Sequence, residues 1–245
     1  MAWGSGARVS KWRIAGRVCV GAVGVVFGSI AYCWATLPDV RPLRTDTPAT
    51  TAFMRMRASE AASAGKPAAV SHRYVRYGRI SPLLVRAVLV AEDAAFFSHD
   101  GVDYDELRLS MEKNWERWQF LRGASTITQQ LAKNLYLSPS RNPYRKVREL
   151  MITRRLEAEL SKTRILELYL NLIEWGDGIW GAEAAAQRYF GVPASDLSAE
   201  QAALMAGAII NPRVYSPAHP NKRLLQRQQI ILGRMGRKDA PAEGK

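Results

Sequence analysis

The longest run of uncharged and mostly apolar positions lies near the amino terminus, over residues 18–37. About 20 apolar residues in a helix are enough to cross the hydrocarbon core of a bilayer. We therefore predict a transmembrane helix rather than a cleaved signal peptide, whose apolar core is shorter, about 7 to 15 residues. The segment before it, residues 1–17, is basic without any acid, so the positive-inside rule predicts that it is cytoplasmic and that the rest is extracytoplasmic.

The next segment, residues 38–70, has no sustained apolar period. Its four prolines stand among alanine, serine and threonine, a composition typical of a spacer. We expect the folded domain to occupy residues 71–227. The remaining residues, 228–245, are expected to form a disordered tail.

Within residues 71–227 the apolar positions recur mainly at intervals of three and four, which indicates amphipathic helices. Ser81 with Pro82 and Ser198 with Gln201 are typical of helix starts. Alternation with period two appears only around residues 72–80. The pattern predicts a mostly helical domain, with apolar stripes at Leu84, Val88 and Ala91, at Ile152, Leu156 and Leu160, and at Leu166, Leu170 and Ile173.

The net charge of the chain limits the classes of partner that it is expected to bind. The formal net charge is +13, which favours nucleic acid, phospholipid headgroups or a phosphorylated substrate. Residues 117–164 hold eleven Lys or Arg and three Glu, so most of the excess charge is concentrated there. The two cysteines both lie in the apolar run, about 21 Å apart in a helix, and the three histidines are widely spaced, so no zinc or haem site is expected.

Two acids, Glu92 and Asp93, stand at the predicted end of a helix and are followed by Phe96, Phe97 and Gly101. A carboxylate beside apolar rings has its pKa raised toward the range that is useful for proton transfer. The alternative is that both acids only solvate the end of the helix.

The segment GASTITQQLAKN, residues 123–134, concentrates hydroxyls and amides before a lysine. Such groups suit sugar hydroxyls and phosphate oxygens. A plainer interpretation is a helix start in which Ser125 or Thr126 is the cap, with Gln129 and Gln130 exposed.

Arg145 and Glu149 are four residues apart, on the stripe of the following helix. Glu149 is therefore either a second functional acid or half of a structural ion pair. A further stripe, Met111, Trp115 and Trp118, fits either the headgroup region of a membrane or the protein core.

Five ordered motifs resemble one family: EDAAFFSHDG (92–101), GASTITQQLAKN (123–134), RKVRE (145–149), ILELYLN (165–171) and GDGIWGAEAAAQRYFG (176–191). Over roughly residues 70–227 the chain resembles the monofunctional biosynthetic peptidoglycan transglycosylases, relatives of the glycosyltransferase domain of bifunctional penicillin-binding proteins. The resemblance implies a mostly α, lysozyme-like glycosyltransferase domain behind a single transmembrane helix.

The resemblance also implies a reaction, in which lipid II is polymerised into β-1,4-linked glycan with inversion and release of undecaprenyl pyrophosphate. Glu92 would be the general base and Glu149 the second glutamate. Lipid II, the growing strand, the bilayer and cell-wall synthesis or division proteins are the expected partners. The site is expected at the extracytoplasmic face of the inner membrane. The implied substrate-binding residues are Ser125, Gln129, Gln130, Lys133, Asn134, Arg141, Arg145 and Lys146.

No cofactor is expected, although Mg²⁺ or another divalent cation would suit the pyrophosphate. Nucleic acid is not an expected partner, because the domain would lie outside the cytoplasm. A transpeptidase activity is not expected either, because the SAGK sequence at residues 63–66 lies in the predicted spacer and no KTG follows.

Two alternatives remain open at this point. A lysozyme-like hydrolase would share an acid in a helical cleft but would need no cationic cradle for pyrophosphate. An anchored basic protein that only binds anionic lipid or glycan would keep its affinity without Glu92 and lose it smoothly with salt.

Overall fold

A computed structural model describes residues 6–67, 70–117, 125–138 and 142–236, which divide into two compact units at Pro38 and Asp39. The described residues are mostly helical, as the sequence predicts. The helices are α1 (Gly6–Ala35), α2 (Ala52–Ser63), α3 (Pro82–Glu92), α4 (Tyr104–Arg117), α5 (Ile127–Tyr136), α6 (Pro143–Glu159), α7 (Lys162–Leu172), α8 (Ala182–Phe190), α9 (Ala199–Ala208) and α10 (Lys222–Met235).

The first unit consists largely of α1, which is 30 residues long. Its segment Ala15–Ala35 has a mean hydropathy of 1.9 and is long and apolar enough to cross a membrane. Apolar side chains such as Val20 and Phe27 are exposed along it. The helix is thus consistent with the predicted membrane anchor.

The predicted spacer is not an unstructured connection. Within residues 38–70, α2 begins at the buried cap Thr51, whose hydroxyl accepts a hydrogen bond from the backbone of Met54 at 3.1 Å. The helix packs against α5, and Met54 is buried. The expectation was wrong because α2 buries only this one side chain fully, so no apolar stripe marks it.

The other end of the domain also differs from the prediction. Helix α10 continues through residues 228–235, and Ile231 and Met235 on it are buried. The predicted tail was therefore placed too early, and only its last part, residues 237–245, lies outside the described residues.

The core has two helical groups that meet at the functional motifs. Helix α3 packs against α9 and α10, and α5 packs against α6 and α7. The predicted starts are confirmed: the Ser81 hydroxyl accepts from the backbone of Leu83, and Ser198 forms a capping box with Gln201. Each cap fixes where its helix begins.

A small three-stranded sheet, ordered β1-β3-β2, closes one side of the domain. It consists of β1 (Ser71–His72), β2 (Glu174–Gly176) and β3 (Ile179–Trp180), with β1 parallel and β2 antiparallel to β3. The buried amide of Asn171 bonds both the N–H and the C=O of Val75, each at 2.9 Å. The period-two segment is thus only briefly a strand, and α7 holds the rest of it by side-chain hydrogen bonds.

Candidate active site

Glu92 is the last residue of α3, whose apolar side chains Leu84 and Val88 are fully buried. Its carboxylate accepts a hydrogen bond of 2.9 Å from the side-chain N–H of Gln130 on α5. Burial raises the pKa of Glu92, whereas the Gln130 bond and the charge of Arg227 act in the opposite direction. A carboxylate with increased proton affinity at the edge of a cleft is suited to accept a proton.

The Gln130 amide is itself oriented by a buried tyrosine. The Tyr169 hydroxyl donates a hydrogen bond of 2.9 Å to the Gln130 side-chain oxygen. Burial raises the pKa of Tyr169 well above its ordinary value, so the hydroxyl keeps its proton and remains a donor. The amide must therefore present its N–H to Glu92, which orients the carboxylate. Gln130 is part-buried rather than exposed.

Asp93 is a structural acid that joins the first two motifs. One carboxylate oxygen accepts from the Ile127 backbone at 3.0 Å and the other from His99 at 2.9 Å. The other ring nitrogen of His99 accepts from the Gly101 N–H at 3.1 Å. Thr126 donates its hydroxyl to the Gly101 carbonyl at 2.7 Å. The end of α3 and the start of α5 are thus held together, so Asp93 does more than solvate a helix end.

The hydroxyl and amide side chains at the start of α5 have different roles. Thr126 is the cap and forms a capping box with Gln129, which is 5% exposed. A predicted substrate contact by Gln129 does not fit this placement, because its side chain is buried and bonded to the backbone of Thr126. Ser125 is exposed and lines the cleft beside Glu92, where it is available to a substrate.

Lys133 and Asn134 follow on α5, on the side of Gln130. Burial lowers the pKa of Lys133, as do the charges of Arg145 and Lys146, whereas Glu149 and Glu92 act in the opposite direction. Lys133 therefore lies within the fields of both glutamates. The Asn134 side chain is buried, and its oxygen has no hydrogen-bond partner among the described residues.

Glu149 on α6 is 3% exposed and is paired twice. Its two carboxylate oxygens accept from Arg145 at 2.7 Å and from Lys146 at 2.5 Å. The predicted ion pair is therefore present and includes a second cation. A role as a proton acceptor fits Glu149 less well than Glu92, because both of its oxygens are occupied by cations.

Some predicted site residues cannot be placed. Arg141 lies outside the described residues, and so do Trp118 and the first two residues of the second motif, 123 and 124. Of the predicted aromatic stripe, only the side chain of Met111 is described, and it is exposed.

A cleft of about 280 Å³ opens beside Glu92, between the end of α3, the start of α4 and α10. Its walls include Asp103, Glu106, Ser125 and Arg234. Arg234 was missed because it falls in the predicted tail. The spacing of Leu224, Gln228, Ile231 and Met235, which are all buried, was the signal that the helix continues to it.

Comparison with known proteins identifies the family. The model of a family described as transglycosylase matches residues 59–236. The chain belongs to the transglycosylase family. The match begins within α2 and ends after α10, so it extends beyond residues 71–227 at both ends.

Several relatives of this family are similar over nearly the whole chain, and all are named biosynthetic peptidoglycan transglycosylase. That of Laribacter hongkongensis (strain HLHK9) is 44% identical over 230 residues, 92% of this chain and 96% of the relative. That of Nitrosomonas eutropha (strain DSM 101675 / C91 / Nm57) is 43% identical over 227 residues, 93% of this chain and 91% of the relative. The resemblance seen in the sequence, and with it the enzyme class of peptidoglycan glycosyltransferase, is confirmed.

Replacing Tyr169 with phenylalanine is expected to lower the rate of glycan synthesis about tenfold. The change removes the hydroxyl that orients Gln130, so its amide is free to turn its oxygen toward Glu92. A hydrogen bond of this kind contributes about 0.5–1.5 kcal/mol, which corresponds to a factor of up to about ten. The measurement is polymerisation of labelled lipid II. Tyr189→Phe, which loses a hydroxyl bonded to a backbone carbonyl instead, should keep its rate.

Proposed function

We propose that this chain polymerises lipid II into β-1,4-linked glycan strands, with release of undecaprenyl pyrophosphate, at the extracytoplasmic face of the bacterial inner membrane. The observation that supports this proposal best is the placing of an oriented carboxylate with a raised pKa, Glu92, within the electrostatic reach of Lys133. A base for an acceptor hydroxyl and a cation for an anionic leaving group are the two groups that such a transfer needs.

The proposed reaction is one displacement. Glu92 takes the proton of the acceptor's 4-hydroxyl, while that oxygen forms a bond to the anomeric carbon of the donor. The bond between this carbon and the pyrophosphate oxygen breaks, and its electron pair leaves with the lipid pyrophosphate. An α-linked donor then gives a β-1,4 linkage by inversion, so no covalent enzyme intermediate is required.

The leaving group gains negative charge as this bond breaks, and we assign its stabilisation to Lys133, Arg145 and Lys146. Fixed cations stabilise developing charge strongly where water is restricted. Glu149 holds Arg145 and Lys146 in place through two short ion pairs. Its role in the proposal is to position these cations and limit their mutual repulsion.

The cationic cluster distinguishes the transferase from a glycan hydrolase. A hydrolase of the lysozyme type uses two carboxyl groups flanking a glycosidic bond and has no pyrophosphate to neutralise. Here the second glutamate is bonded to two cations, and a third cation lies nearby. The arrangement favours a substrate that carries pyrophosphate.

A divalent ion has no step in the proposed reaction. Among the described residues, Asp93, His99 and Asp103 bring ligand atoms within 4.8 Å of one another. Both ring nitrogens of His99 and both oxygens of Asp93 are already used in hydrogen bonds, so this set fits an ion poorly. The cation expected at the pyrophosphate stays a prediction about the substrate.

Helix α1 supports the proposed location, since a polyprenyl substrate stays in the bilayer and its headgroup must be met at the surface. We propose that α1 anchors the chain with residues 1–17 in the cytoplasm. The basic residues of that segment support this orientation.

The experiment that tests the proposed function is incubation of the purified full chain with labelled lipid II in detergent micelles. We expect polymer that lysozyme digests. Release of short glycan from preformed strands, with no polymer from lipid II, would replace the proposal with a hydrolase. Binding of lipid II without either reaction would replace it with a binding protein.

We expect the turnover rate to depend on pH through a bell-shaped profile. Glu92 must be ionised to accept a proton, and its raised pKa moves the acidic limb above the ordinary range of glutamate. Lys133 must stay protonated, and its lowered pKa moves the basic limb below the ordinary range of lysine. The measurement is turnover at saturating lipid II across the pH range. An acidic limb no higher than that of an ordinary glutamate, or a basic limb no lower than that of an ordinary lysine, would contradict these two assignments.

A further inference from the structure

An aromatic ring from the predicted spacer reaches the candidate active site. The Lys133 ammonium lies over the ring of Phe53, 5.8 Å from the ring centroid. Phe53 is the second residue of α2, between the buried cap Thr51 and the buried Met54, and it is itself part-buried. The ring is therefore carried by a segment that is fixed on both sides of it.

Lys133 needs such a partner because its surroundings work against its charge. It is desolvated by burial, and the cations Arg145 and Lys146 lie close enough to repel it. A lysine in this position lowers its free energy by losing its proton or by turning its flexible side chain toward water. Among the described residues, no carboxylate makes a direct ion pair with its ammonium, because Glu149 bonds Arg145 and Lys146 and Glu92 bonds Gln130.

The face of an aromatic ring attracts a cation electrostatically, whereas an aliphatic side chain of similar size does not. The negative face of the ring attracts the ammonium without introducing a carboxylate that would repel a pyrophosphate. It also leaves the N–H groups that point away from the ring available to substrate oxygens. A phenylalanine therefore stabilises the charged lysine in its position without adding a negative charge that would repel the substrate.

We propose that Phe53 is a positioning residue of the transferase, which holds the Lys133 ammonium toward the pyrophosphate of lipid II through its ring face. The inference rests on the proposed function. It makes α2 a functional part of the site, although no sequence motif marks α2 as one.

The first test compares two substitutions that differ in the ring. Phe53→Leu keeps an apolar side chain but removes the ring face, and Phe53→Tyr keeps the face. We expect kcat/KM to fall about fivefold for Phe53→Leu, the factor equivalent to about 1 kcal/mol for one cation–π contact, and to stay near the wild-type value for Phe53→Tyr. Equal rates for Phe53→Leu and wild type, or equal losses for both variants, would overturn the proposal.

Met54→Ala is the matched control for a loss of packing in α2. Met54 is buried on the same helix and has no contact with Lys133 among the described contacts, so this change lowers the thermal midpoint while leaving kcat/KM near wild type at a temperature well below it. If Met54→Ala lowers kcat/KM as much as Phe53→Leu, the effect belongs to helix packing and the inference fails.

The second test is a double-mutant cycle on binding, which can be measured even in variants without turnover. Because wild type is expected to consume the ligand, the cycle is made in the Glu92→Gln background: fluorescent lipid II in micelles is titrated with Glu92→Gln alone and with Phe53→Leu, Lys133→Met or both added. Phe53→Leu should weaken binding about fivefold when Lys133 is present and leave it unchanged when Lys133 is already methionine. A loss of the same size in both backgrounds would show that Phe53 acts independently of Lys133.

The proposed function and the role of Phe53 are tested by different outcomes. If wild type makes no polymer, the proposed function fails whatever Phe53 does. If wild type polymerises lipid II and the cycle shows no coupling, only the role of Phe53 fails.

Discussion

Replacing Glu92 with glutamine is expected to reduce lipid II polymerisation by at least about 10²–10⁴-fold, the range typical of a lost general base. Glutamine has nearly the same shape, and its side-chain oxygen still accepts the hydrogen bond that Gln130 donates. It cannot accept the proton of the acceptor hydroxyl. The local structure should therefore survive while the reaction stops.

The measurement is the initial rate of polymer formation, with lipid II binding and the thermal midpoint determined on the same samples. We expect binding within a few-fold of wild type and an unchanged or slightly higher midpoint, because a buried charge has been removed. Glu200→Gln is the control, since Glu200 is exposed in the first turn of α9 and its carboxylate, which accepts a hydrogen bond from the Ser198 hydroxyl, has no part in the proposed reaction. Rapid polymerisation by Glu92→Gln would remove Glu92 from the mechanism.

Lys133→Met is the second substitution with a large expected effect, a decrease in turnover of about 10²–10³-fold, the size seen when one fixed donor to a developing charge is lost. Methionine fills a similar volume without the charge. Because burial disfavours the charged lysine, the variant should unfold at the same or a higher denaturant concentration than wild type. A loss of activity without a loss of stability separates a functional cation from a structural one.

Turnover and urea unfolding of Lys133→Met are best compared with those of Lys66→Met, because Lys66 is exposed after the end of α2. That control should keep both its rate and its stability. A Lys133→Met enzyme with normal turnover would show that Arg145 and Lys146 suffice for the leaving group, and the assignment of Lys133 would then be wrong.

The features that could be predicted from the sequence are those with a local chemical signal. Ser81 and Ser198 were identified as caps because a hydroxyl before a helix bonds the backbone within three residues of itself. The pairing of Glu149 with Arg145 follows from a spacing of four on one helix. Glu92 and Gln130 were both named as site residues from motifs, although nothing local indicates that they bond each other.

The features that could not be predicted depend on contacts between distant segments. The role of Asp93 depends on Ile127 and His99, which lie on other segments, and pattern does not show that both of its oxygens are used. Gln129 and Gln130 are adjacent and chemically identical, yet one caps its own helix and the other bonds Glu92. The spacing of three between Thr126 and Gln129 is a local signal for the capping box, whereas the bond of Gln130 to Glu92 depends on how α5 lies against the end of α3.

The packing of α2 on α5 bears on how the second compact unit, which begins at Asp39, should be produced without α1. A soluble fragment that begins at residue 71 would lack α2, which packs against α5, and with it the buried Met54 and the ring of Phe53. Such a fragment should aggregate or bind lipid II weakly even with every motif intact. A fragment that begins at Asp39, the first residue of the second compact unit, retains both residues and is the better choice for crystallisation and inhibitor screening.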